Sequence, residues 1–140
     1  MKRPLVSYGS LEHLRELAER GDSDAQCCLG ILYSDGVGVT RNITEALKWL
    51  LQAAEQGSAD AQFRLGTLYS QGDLVPVNPL EAFKWFNQAA QHGDSDYQFK
   101  LGILYATGHG TQKNLRQALK YLRSSAKNGN DLARLELAKF

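Results

Sequence analysis

Much that would announce a particular chemistry is missing from this 140-residue chain. It has two cysteines, Cys27 and Cys28, side by side. Neighbours in a helix point about 100° apart, so this pair is poorly placed to bridge, and no third thiol exists. Nothing here suggests a disulfide framework, and a reducing, cytoplasmic setting is the expectation. A secreted or periplasmic chain whose leader has been removed is the alternative. No apolar run approaches the ~18 residues of a membrane span, so direct membrane insertion is not expected. The start, Met1 to Gly9, is basic but has no apolar core behind it and does not read as a signal peptide. With a net charge of +1, the chain has no field to draw in nucleic acid or an anionic membrane. His13, His92 and His109 lack paired ligand spacing, so neither a metal nor a cofactor is expected. No set of nucleophile, base and orienting carboxylate is legible.

What the chain does have is a period. Ala25, Leu29, Gly30, Tyr33, Gly36, Asn42, Glu45, Ala46, Trp49, Ala53, Ala54 and Gly57 recur 36 residues on. The second copy reads Ala61, Leu65, Gly66, Tyr69, Gly72, Asn78, Glu81, Ala82, Trp85, Ala89, Ala90 and Gly93. The third keeps Leu101, Gly102, Tyr105, Gly108, Asn114, Gln117, Ala118, Tyr121, Ala126 and Gly129. A fixed period of this size marks a stacked repeat array. One domain is expected: a half-repeat at 11–21, full repeats at 22–57, 58–93 and 94–129, and a partial repeat at 130–140. Pro4 and Gly9 act as breakers in the lead-in.

Each repeat reads as two helices. Asp22, Ser58, Asp94 and Asn130 are hydrogen-bond acceptors suited to capping a first helix, and Asp24, Asp60 and Asp96 favour its positive end. Gly36, Gly72 and Gly108 stop it. Asn42, Asn78 and Asn114 open the second helix, with Glu45, Glu81 and Gln117 three residues on in the spacing of a reciprocal capping box. The loops Gly36-Val-Gly38 and Gly108-His-Gly110 follow no strand and read as turns, not phosphate cradles. His13 overlays Trp49 and Trp85, which predicts a packing role. Lys48, Lys84 and Lys120 form a ladder that reads as a solvated outer face.

The frame Ala-x-x-x-Leu-Gly-x-x-Tyr-x-x-Gly, followed by Ala-x-x-Trp-x-x-x-Ala-Ala-x-x-Gly, resembles the Sel-one-like repeat (SLR) family. Gly30 and Ala46 stand 16 residues apart and glycine closes the unit, unlike a tetratricopeptide repeat of period 34. The resemblance covers residues 11–140. It implies an all-α, right-handed αα-superhelix, a tetratricopeptide-like solenoid. It also implies a non-enzymatic adaptor or scaffold for protein complexes, often bacterial. The loop Gly72-Asp-Leu-Val-Pro76-Val-Asn78 departs from the first copy and reads as a local variant.

The expected function is therefore a non-catalytic module that binds a protein or peptide in its concave groove. The alternative is a hydrolase of small molecules or cell-wall fragments acting in that groove. The candidate groove residues are Cys27, Ile31, Asp60, Phe63, Thr67, Ser70, Asp96, Phe99 and Ile103. For Cys27, Phe63 and Phe99, contact between neighbouring first helices is the competing structural reading. Solenoid ends need polar caps. The final segment carries Leu135, Leu137 and Phe140, which predicts either end-to-end self-association or a further segment that covers this end.

Overall fold

The computed structural model describes residues 10–140; Pro4 and Gly9 lie outside the described residues. Eight α-helices and no strand appear among the described residues. They are α1 (Leu11–Glu19), α2 (Ser23–Asp35), α3 (Ile43–Glu55), α4 (Ala59–Gln71), α5 (Pro79–Ala90), α6 (Ser95–Thr107), α7 (Leu115–Lys127) and α8 (Asp131–Leu137). The hairpins α2–α3, α4–α5 and α6–α7 are the repeats; α3 packs on α4 and α5 on α6. Helices α1 and α8 close on α2 and α7. The fold is an all-helical solenoid.

The caps work as the residue types dictate, with one difference. Asp22, Ser58 and Asp94 accept from the amides of Ala25, Ala61 and Tyr97. Asn42, Asn78 and Asn114 accept from Glu45, Glu81 and Gln117 at 3.1, 3.2 and 3.1 Å. The reciprocal half of the capping box does not form. The amides of Asn42, Asn78 and Asn114 instead donate to the carbonyls of Tyr33, Tyr69 and Tyr105, at 3.0, 2.9 and 2.9 Å. A backbone carbonyl left open near the end of the first helix satisfies the cap amide. That frees Glu45 to accept from Trp49 Nε1 at 3.1 Å.

Each hairpin closes on a glycine. A Cβ on Gly66 would fall 2.8 Å from the ring of Phe86, and Gly30 and Gly102 meet Leu50 and Leu122 in the same way. Phe86, Leu50 and Leu122 are buried as a result. Seating a large side chain on the helix backbone outweighs the ~1 kcal/mol that glycine costs inside a helix.

Buried glutamines, which the frame did not flag, tie one repeat to the next. Gln26 and Gln62 donate through Nε2 to the carbonyls of Ala18 and Ala54, at 3.0 and 3.1 Å. Their recurrence at 36 was the available signal. His13 is exposed, although Trp49 and Trp85 at the equivalent place are buried. No first helix precedes α1 among the described residues, so its side chain lacks the surface that covers the tryptophans. Lys48, Lys84 and Lys120 lie over the rings of Trp49, Trp85 and Tyr121 at 4.6, 5.2 and 5.3 Å. They cover aromatic rings on a solvated side of the molecule.

Candidate functional site

The first helices α2, α4 and α6 each present one face that stays partly open, although Ile31 and Ile103 on it also touch the core clusters. Side chains at i, i+4, i+7 and i+11 share a helix face. On α4 these are Asp60, Arg64, Thr67 and Gln71; on α6 they are Asp96, Lys100, Ile103 and Thr107. All eight are exposed or half-buried. On α2 the set is Asp24, Cys28, Ile31 and Asp35, also exposed or half-buried.

The expected groove residues divide between this face and the junctions beneath it. Ile31, Thr67 and Ile103 fall on the face, half-buried, and Ser70 is exposed at its edge. Cys27 is 1% exposed and packs with Leu50, Ala53 and Leu65, so no partner reaches it without unpacking the core. Phe63 stacks on Tyr97 (centroids 4.4 Å, 17°) and meets Phe86 edge-on at 5.1 Å. Phe99 packs against the cluster of Leu122, Ala126 and Ala133. The row Cys27, Phe63, Phe99 therefore binds each repeat to its neighbour. The position turns inward, and stacking of the next repeat covers it.

The acidic residues are tethered across the same junctions. Tyr97 donates its hydroxyl to Asp60. Burial, then the hydrogen bond and charge of Asp60, push the Tyr97 phenol well above its usual value. Asp96 accepts from Asn130 Nδ2 at 2.9 Å. Accepting such bonds holds both carboxylates in place.

Basic side chains on this face went unread in the sequence. Arg64 on α4 pairs with Asp35 at the end of α2 and donates to Ser34 Oγ at 3.1 Å. Arg41 pairs with Asp73 at 3.2 Å across two successive loops. Lys100 holds the place of Arg64 one repeat on, with its ammonium 5.3 Å from the Phe86 ring centroid. Among the described residues no cluster of His, Cys, Asp and Glu could hold a metal ion, and no helix is long and apolar enough to cross a membrane.

A stacked αα-hairpin closed on glycine, with paired small residues and a regular 36-residue step, is a family property. The Sel1 repeat model matches residues 23–58, 59–94 and 95–130, each match starting just after an N-cap. The chain belongs to the Sel1 repeat family. Sel1 repeat proteins are generally protein-interaction modules, and the fold is typically a non-enzymatic scaffold. A Sel1 repeat protein from Oxalobacter formigenes is 35% identical, with a TM-score of 0.85 over 93% of this chain and 98% of that one. A protective antigen of uropathogenic Escherichia coli displaying an SLR fold is 32% identical, with a TM-score of 0.86 over 91% of this chain. This Sel1 repeat chain spans 27% of that antigen's length. Helicobacter pylori cysteine rich protein B shares the fold at 24% identity, with a TM-score of 0.66 over 89% of this chain and 96% of that one. Comparison with curated proteins gives no match.

Proposed function

We propose that this Sel1 repeat chain is a non-catalytic adaptor that holds a segment of a partner protein along the face of α2, α4 and α6. The observation that carries the reading is the open row Ile31, Thr67 and Ile103. These half-buried side chains sit between inward-facing packing residues and outward charges. Such a row offers apolar area to an extended or helical segment, and the charges beside it set register and association rate. The core of the interface would be Thr67 and Ile103, with Ser70 at its edge and Asp60 and Asp96 at the rim.

The test compares three forms of the chain as bait, wild type, Thr67→Arg and Lys84→Glu, with captured proteins quantified by mass spectrometry. A long cation at Thr67 blocks the row without entering the core. It should leave the circular-dichroism spectrum and melting point unchanged. Capture of the proteins that wild type and Lys84→Glu enrich alike should weaken tenfold or more, about 1.4 kcal/mol. Loss of capture with Lys84→Glu and not with Thr67→Arg would move the interface to the lysine ladder on the opposite face.

A further inference from the structure

The groove between successive repeats occurs twice in the same register, and its two copies differ in chemistry. The first copy lies between α2 and α4 and encloses about 260 Å³. The protein lines it with its own paired charges. Arg64 takes the carboxylate of Asp35, Arg41 takes that of Asp73, and Arg41 Nε donates to the Ser34 carbonyl at 3.2 Å. Leu74 of the variant loop lines the same groove.

Thirty-six residues on, that set is replaced. Gln71 stands where Asp35 does, Lys100 where Arg64 does, Val77 where Arg41 does and His109 where Asp73 does. The result is an open pocket of about 370 Å³ between α4, α5 and α6. Its walls are Val77, Pro79, Ala82, Ile103 and Leu104, with Lys100 at its side. That volume lies within the ~300–1,000 Å³ of small-ligand sites. Behind Pro79, Gly110, at φ +75°, presses its backbone against Pro79 and Phe83 with no room for a Cβ. His109 at the mouth is held by Thr107, Nδ1 to Oγ1 at 2.9 Å. Among the described residues no carboxylate pairs with Lys100.

We propose that this pocket, at the junction of the second and third repeats, takes one apolar side chain of a bound peptide segment. Lys100 pairs with a carboxylate beside that side chain on the same segment. The chain supplies its own precedent, since Arg64 at the equivalent place holds a carboxylate and Gln71 cannot provide one to Lys100. The occupant is a peptide because the pocket opens onto the first-helix face through Ser70 and Ile103, so a segment lying there can drop a side chain into it. The inference rests on the adaptor reading and names the partner's chemistry: an acidic residue next to a Leu-, Ile- or Met-sized one.

The experiment uses two blocked heptapeptides, acetyl-Gly-Ser-Asp-Leu-Asp-Ser-Gly-amide and its Asn-Leu-Asn counterpart, titrated into the whole chain with methyl NMR readout. The Asp-Leu-Asp peptide should shift the methyl signals of Val77, Ile103 and Leu104 saturably, and the Asn-Leu-Asn peptide should bind at least tenfold more weakly. The combined variant Gln71→Asp, Val77→Arg, His109→Asp writes the first groove's pattern into the second. It should keep the melting point and weaken the Asp-Leu-Asp peptide at least tenfold; Lys100→Glu should do the same. Equal binding of the two peptides, shifts centred elsewhere, or no saturable shift at millimolar peptide would each overturn the pocket. Tight binding of N-acetyl-leucine matching the peptide would overturn a peptide occupant in favour of a small acid. Capture by the combined variant separates the two readings. If it keeps the proteins that Thr67→Arg loses, the face stands and the pocket falls; if Thr67→Arg also keeps them, the face itself falls.

Discussion

Among single residues, Tyr97 joins two repeats through both its ring and its hydroxyl. It occupies the position held by Ala25 and Ala61 in the other copies, so the frame gave no reason to single it out. Its ring covers Phe63 and its hydroxyl reaches Asp60 one repeat away. Because folding raises its pKa, the folded state holds the phenol proton more tightly than the unfolded chain does. The stabilisation is fully present below the unfolded tyrosine value of about 10 and is lost as pH rises through the folded value. Tyr97→Phe should therefore cost about 1.5–3 kcal/mol at pH 7, the worth of a hydrogen bond to a charged group. It should also make stability fall less steeply above pH 10, as urea midpoints taken across neutral and alkaline pH would show. A residual alkaline slope should persist, since burial and then the neighbouring Tyr121 raise Tyr105 as well. Superimposable pH profiles for the two forms would mean that the Asp60 bond is absent in solution.

For a helix, caps and core contribute on different scales. Asn78 satisfies one first-turn amide of α5, through Glu81 at 3.2 Å, while its own amide is already taken by Tyr69. Asn78→Ala should lose ~1 kcal/mol, because only the side-chain half of the cap disappears. Leu65, fully buried between α4 and its neighbours, should lose ~2–5 kcal/mol as alanine by opening a cavity. Urea midpoints check both, and equal near-zero shifts would contradict the register of α4 and α5. Helix positions and first-turn caps were legible because each depends on residues within about four of one another. The capping-box reciprocity was misread for the opposite reason. Tyr69 competes for the Asn78 amide from across an inter-helix loop, and no local spacing reveals that competitor.

Across the whole molecule, the open question lies at the last helix. Leu132, Leu135 and Phe140 are 59%, 65% and 53% exposed, while Leu137 is half-buried in the terminal cluster. An exposed apolar patch on a solenoid end favours association. Light scattering should show a mass that grows with concentration, and Leu135→Glu should return it to a monomer. A strict monomer at high concentration would remove this end as an interface.

Read by itself, the sequence determined the solenoid: its period, its helix pairs, its caps and the apolar positions facing each hairpin core. Those follow from 3.6-residue periodicity and short-range hydrogen bonding, repeated often enough to leave no other register. Only the tertiary structure decided which side chains of the first helices remain open. Phe63 and Phe99 stay half-buried like Thr67, but their rings are engaged in packing, Phe63 on Tyr97 and Phe99 on the terminal cluster. It likewise decided that one inter-repeat groove is lined by paired charges and the next by apolar side chains with an unpaired lysine among the described residues. Arg64 and Asp35 are 29 residues apart, and only stacking brings them face to face. Charge pairing across a junction belongs to neither repeat alone, so it enters with the packing.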